Sequence, residues 1–322
     1  MSWPAGSGSA HRAVRYRDEP EFRACVGSFI REGLDRGERV LAAVPAGRLA
    51  WTRAELGGDP PGVEFADAGA FCRRPGQATR ALVDWLRRNA SDGQRVRVVA
   101  EQALARRTPA EATDYVRMEA AANVLYQPFP VSVLCPYGAP GLPADLQPGV
   151  ERTHPELLEG GRVVPSPLFT DPRAVIRDYS AVVEPPPGAA SIGFGRGDDL
   201  AGARRFLRAE LSRAGLEGEP GQLLLFAAAE AVTNALVHGA APRRLWVYTE
   251  GPALVCHVRD GGPGLADPLA AYLAPDRHAT HGHGLWLGRQ ACDCLEVATD
   301  RTGTHVRLLT RLPGPGGAEP VP

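Results

Sequence analysis

The chain has 322 residues, enough for two ordinary domains and too many for one core of typical size. Hydrophobic residues make up 44% and charged residues 23%, which excludes a disordered or fibrous chain. A formal net charge of −1 gives no global field toward nucleic acid or anionic lipid, so neither is an expected direct partner.

The longest purely apolar stretch, Leu223 to Ala229, is far short of the roughly 20 residues that a membrane helix needs. The opening Met-Ser-Trp-Pro-Ala-Gly-Ser-Gly-Ser has no apolar export signal and reads as a loose tail, so a soluble cytoplasmic protein is expected. All 36 basic residues are arginine. A P-loop nucleotidase would lack its phosphate-binding lysine, and Schiff-base or PLP chemistry would lack its amine. Cys25, Cys72, Cys135, Cys256, Cys292 and Cys294 form no CxxC pair and read as reduced packing residues.

Asp18 caps a predicted helix in which Phe22, Cys25, Val26, Phe29, Ile30 and Leu34 recur at helical spacing. A buried strand follows from Glu38 to Val44, then helix from Arg48 to Leu56 and a short strand from Val63 to Ala66. An amphipathic helix over Gly76 to Asn89 leads through an Asp92-Gly93 turn to a strand from Arg95 to Ala100. Pro109 opens a helix through Tyr126, and Val131 to Cys135 is a further strand. This alternation predicts an open, mostly parallel sheet covered by helices.

From Pro136 to about Gly161 the chain is rich in Pro and Gly, with short pieces such as Pro155-Glu156-Leu157-Leu158. The prolines through Pro185-Pro186-Pro187 mark an interdomain connection, with a short helix near Asp171 to Tyr179. The expected limits are therefore a first domain at 10–165, a linker at 166–189 and a second domain at 190–312. In the second, helices are predicted from Asp198 to Ala214 and from Pro220 to His238. Arg244 to Thr249 and Ala253 to Arg259 form a hairpin, Gly284 to Cys292 a helix, and Leu295 to Thr299 with Thr304 to Thr310 a closing hairpin. The order suggests a two-layer α+β sandwich.

Three local patterns carry chemistry. Glu230 and Asn234 lie four apart and so share a helix face, while Leu225, Ala228, Val232, Ala235 and Leu236 lie opposite, suited to packing on a sheet. A carboxylate can accept a hydroxyl proton, and a neutral amide oxygen can hold Mg2+ without repelling phosphate. The same pair also fits a plain solvated face. Asp260-Gly261-Gly262-Pro263-Gly264 follows a strand, where an Asp can accept from an exocyclic amine, although the run is also an ordinary turn. Gly282-His283-Gly284 opens a helix whose backbone donors suit phosphate.

In this order and spacing, with Gly303-Thr304 after them, these patterns resemble the Bergerat (GHKL) ATPase superfamily over about 190–312. The His238-Gly239 after the first motif and the compact lid resemble the anti-sigma-factor serine kinases within it. The resemblance implies ATP and Mg2+ as cofactors, Glu230 as general base and Asn234 as the metal ligand. It further implies Asp260 on the adenine amine, Gly262 and Gly264 shaping the base pocket, Gly282, His283 and Gly284 at the phosphates, and Thr304 beside the adenine. His283 departs from the arginine common in these kinases. His278, His281 and His283 also make an H-x-x-H-x-H run, which coincides with the lid and has no obvious fourth ligand for zinc.

The first half resembles the MEDS sensory domain through His11, the unit from Glu21 to Val44, Glu101, Glu119, Cys135-Pro-Tyr137 and His154-Pro155. The fold implied is a Rossmann- or RecA-like open sheet without a P-loop. Glu101, Glu119, Cys135 and His154 could converge on a ligand or could be structural. The resemblances together imply a sensory domain controlling an anti-sigma serine kinase, with a sigma factor and a STAS-type anti-anti-sigma protein as partners and room for a homodimer. The alternative is a non-catalytic, ATP-dependent protein-binding switch. A histidine kinase is disfavoured because no His lies between Pro155 and Val237.

Overall fold

The computed structural model describes residues 8–71, 74–90, 93–101, 104, 107–139, 144–195, 199–274 and 283–313. The chain divides into two compact units, residues 1–73 with 77–175 and residues 74–76 with 176–322.

The first unit starts with β1 (Ala10–Tyr16), at the expected start of the first domain, although no strand is expected there from the sequence. Arg12 and Arg15 interrupt its apolar pattern. Arg12 can nevertheless be buried because its Nε donates to Glu156 at 2.6 Å, a partner 144 residues away. Helix α1 (Glu19–Asp35) begins where Asp18 accepts from the Glu21 N–H at 3.0 Å, and it buries Phe22, Val26, Phe29 and Ile30. The chain continues through β2 (Arg39–Val44), α2 (Ala46–Leu56), β3 (Val63–Asp67), α3 (Ala68–Phe71), α4 (Pro75–Asn89) and β4 (Val96–Ala100). Thr108 and Glu111 form a reciprocal capping box at the start of α5 (Pro109–Tyr126), which is followed by β5 (Val131–Gly138). The Pro- and Gly-rich stretch holds α6 (Gln147–Thr153) and β6 (Glu156–Glu159), where the sequence shows the short piece Pro155-Glu156-Leu157-Leu158, and β7 (Arg162–Pro165) follows it. These elements are four to seven residues long, too short for a periodic signal to stand above the Pro and Gly around them.

The sheet order is β3-β2-β4-β5-β1-β6-β7, parallel except for the terminal β6–β7 pair. In the doubly wound dinucleotide fold the first strand lies beside the second. Here β1 lies between β5 and β6, so the sheet is parallel-rich but its strand order is not that of the dinucleotide fold. The inner strands β1, β2, β4 and β5 are buried along most of their length, with Arg12 and Arg97 among their mostly apolar side chains, as a parallel sheet covered on both faces requires.

After α7 (Pro172–Asp178), the second unit comprises β8 (Ala190–Gly193), α8 (Asp199–Arg213), α9 (Gly218–Val237), β9 (Arg244–Glu250), β10 (Ala253–Asp260), α10 (Gly284–Ala291), β11 (Cys294–Asp300) and β12 (Gly303–Arg311). Its sheet, β11-β12-β10-β9-β8, is antiparallel throughout. Helix α9 packs on β10 and β12 and against α8 and α10, giving the expected two layers. Its buried stripe is Leu224, Ala227, Ala228, Ala231, Val232 and Ala235. Leu225 and Leu236, expected on that stripe, are only half-buried, because the small alanines bring the helix close at a slightly rotated face. Among the described residues α9 is the one helix long and apolar enough to cross a membrane, and this apolar side lies against the sheet. Asp92, Asp198, Cys72 and the 275–282 stretch, which contains Gly282, His278 and His281, lie outside the described residues.

Candidate functional site

Helix α9 sets Glu230 and Asn234 one turn apart, beside its buried stripe. His238 closes the helix, its N–H reaching the Asn234 carbonyl at 2.8 Å. Helix α10 then crosses this face at its first residue. A Cβ placed on Gly284 would lie 2.9 Å from Glu230 Oε2 and 3.2 Å from Asn234 Nδ2. Any side chain at 284 would push both groups back, so glycine is what lets the helix start come so near them. His283 immediately precedes it at the N-cap position, with no side-chain cap bond of its own.

The second edge is the end of β10. Asp260 is buried, and its Oδ1 accepts from the Gly262 N–H at 2.7 Å, which fixes the carboxylate over the turn. Gly264 adopts φ +85°, and a Cβ there would lie 2.1 Å from Thr299 Oγ1, so a side chain is excluded on two counts. Thr304 faces Asp260 across β10 and β12, and its hydroxyl donates to the Gly262 carbonyl at 3.4 Å. The structure thus brings Asp260, Gly262, Gly264 and Thr304 to one edge, and Glu230, Asn234 and Gly284 to another. Thr299 was missed in the sequence. Its contact with Gly264 depends on the β11–β12 register, which no local motif reports.

In the other unit, Glu119, Cys135 and His154 do converge, but with His11 rather than with Glu101. Glu101 accepts instead from the Tyr16 hydroxyl at 2.5 Å, and Arg48 Nε donates to that same hydroxyl at 2.9 Å. Burial raises the Glu101 carboxyl to about 7, against the Tyr16 bond and the Arg48 charge. Burial also lowers His154 to about 3 and pushes the Cys135 thiol well up. Glu119 is held below the ordinary carboxylate range, because His11 and His154 outweigh the effect of burial.

Comparison with known proteins agrees with this division. Residues 10–155 match the MEDS family, the methanogen/methylotroph, DcmR sensory domain. Residues 196–310 match the histidine kinase-like ATPase domain. No curated protein matches the chain. A solved structure of the RsbU and RsbW domains of a Mycobacterium tuberculosis protein is 18% identical, covering 38% of this chain and 32% of that one, with a TM-score of 0.29.

Proposed function

We propose that this chain, a MEDS sensory domain fused to a histidine kinase-like ATPase domain, is a signalling regulator that phosphorylates an anti-anti-sigma protein of the STAS type and holds a sigma factor in its other state. The domain limits of this reading are 10–165 and 190–312, joined by a linker at 166–189. The observation that carries it is the close seating of Gly284 on Glu230 and Asn234, opposite the anchored Asp260.

The residues present fit a nucleotide with its metal. The space that a Cβ on Gly284 would fill lies between a carboxylate and an amide, beside the donor end of an eight-residue helix. Asp260 would accept from the adenine amine, with Gly262, Gly264 and Thr304 shaping the base pocket. The Asn234 amide oxygen would hold Mg2+, and the backbone of Gly282 and Gly284, with His283, would hold phosphate oxygens. Mg-ATP bound there supplies the γ-phosphoryl group and neutralises its developing charge. Glu230 would take the proton from the incoming serine or threonine hydroxyl, one helical turn from Asn234.

A second reading, a switch that binds ATP and a partner without transfer, is favoured by His283 alone. Histidine lacks the permanent charge and bidentate fork of arginine. Incubation with γ-labelled ATP and candidate anti-anti-sigma proteins separates the two: label on a serine or threonine supports the kinase, and binding without label supports the switch.

A further inference from the structure

His11 on β1, Glu119 on α5, Cys135 on β5 and His154 just past α6 meet inside the N-terminal unit, and none serves the nucleotide site. All four are buried, and their ligating atoms lie within 4.8 Å of one another. His11 Nε2 is 3.1 Å from Glu119 Oε2 and 3.4 Å from Cys135 Sγ. Glu119 Oε2 is also 3.5 Å from His154 Nε2 and 3.9 Å from Cys135 Sγ. Metal bonds of about 2.0 Å to N and O and about 2.3 Å to S make tetrahedron edges of about 3.3–3.6 Å, inside the span of these separations.

The hydrogen bonds fix which way each imidazole presents its lone pair. Asn123 Nδ2 donates to the carbonyls of Glu119, Ala120 and Thr153, so its Oδ1 is the atom that faces His11 Nδ1 at 3.1 Å. An amide oxygen can only accept, hence His11 carries its proton on Nδ1. His154 Nδ1 is 2.8 Å from the Val150 carbonyl and must likewise donate. In the neutral rings both Nε2 lone pairs therefore point at the Glu119 carboxylate and the Cys135 sulfur. His154 Nε2 has no hydrogen-bond partner although the residue is fully buried. Two lone pairs, a carboxylate and a sulfur around one point call for a cation.

We propose that His11 Nε2, His154 Nε2, Cys135 Sγ and Glu119 Oε2 bind one divalent transition-metal ion of the zinc class. The mixed N, S and O donor set suits Zn2+ and disfavours Mg2+ or Ca2+, which prefer oxygen cages. On binding, Cys135 releases its thiol proton to solvent and the sulfur bonds the metal as thiolate. Asn123 and the Val150 carbonyl hold the ring protons on the outer nitrogens, the arrangement that orients metal-ligating histidines. Four protein ligands close the coordination sphere, as in a structural site. The neighbouring cavity lined by Glu119, Tyr115 and Tyr137 holds about 10 Å³, room for one water at most. The ion would tie β1, α5, β5 and the end of α6 together.

The competing arrangement is a proton on His11 Nε2, paired with Glu119 and needing no metal. Full-length protein is stripped with chelator and titrated with Co2+ under visible absorption, then with Zn2+. The proposal expects one equivalent of tetrahedral Co2+ with a sulfur-to-metal charge-transfer band, displaced by Zn2+, and a rise in melting temperature with either ion. Cys135→Ser should lose the charge-transfer band, and Asn123→Ala should weaken the metal about 10–100-fold. A double variant, His278→Ala with His281→Ala, should leave the spectrum unchanged. The wild-type titration decides even if a variant fails to fold: no charge-transfer band and no rise in melting temperature would overturn the proposal. A band that survives Cys135→Ser, or that vanishes in the double histidine variant, would overturn it too.

Discussion

Gly284→Ala separates the nucleotide site from the fold that carries it. The new Cβ would lie 2.9 Å from Glu230 Oε2 and 3.2 Å from Asn234 Nδ2, against an ordinary carbon contact of about 3.5 Å. Both side chains must retreat by roughly half an ångström. Alanine gains about 1 kcal/mol of helix propensity over glycine, while overpacking costs about 1–3 kcal/mol. The unliganded protein should therefore lose about 2 kcal/mol at most. Displacing the Asn234 amide, proposed above to hold the metal, should weaken Mg-ATP about tenfold or more, since about 1.4 kcal/mol is a factor of ten. At a Mg-ATP concentration 100 times the wild-type Kd, the ligand stabilises the wild-type protein by about 2.7 kcal/mol. A tenfold weaker variant gains only about 1.4 kcal/mol. Urea unfolding with and without Mg-ATP measures both gains. An equal gain in variant and wild type would refute the placement of Gly284 against the ligand.

Two further perturbations test separate parts of the account. Glu230→Ala should leave Mg-ATP affinity unchanged and slow phosphate transfer to the partner by about 10²–10⁴; transfer at the wild-type rate would remove Glu230 as the base. Glu101 has its carboxyl raised by burial from 4.5 to about 7, so the folded state holds this proton more tightly than the unfolded chain. Its contribution to stability is complete below about 4.5, is lost as pH rises toward about 7 and is flat above that, an interval of about 3 kcal/mol. Glu101→Gln should abolish this slope in urea unfolding between pH 5 and 8, and an unchanged slope would contradict the assignment.

What could be read in the sequence was local. Glu230 and Asn234 share a face by helix geometry alone, and Asp18 announces α1 through a cap bond three residues long. β1 was hidden because Arg12 finds its partner on β6, far along the chain. β8, four residues at the sheet edge, has no period of its own to show. The buried cluster was half legible. Glu119, Cys135 and His154 were grouped by type, but the sequence offered Glu101 as a fourth member. His11 takes that place because β1 lies beside β5 with Ala13 opposite Cys135, which puts His11 and Cys135 on one sheet face.

The claim on which the rest depends is that Asp260 and Asn234 bound one Mg-ATP site, and calorimetric titration of the full-length protein with Mg-ATP tests it most directly. The account predicts a single site, lost in both Asp260→Ala and Asn234→Asp while the variants keep the wild-type far-UV spectrum. Undiminished affinity in both variants would contradict it.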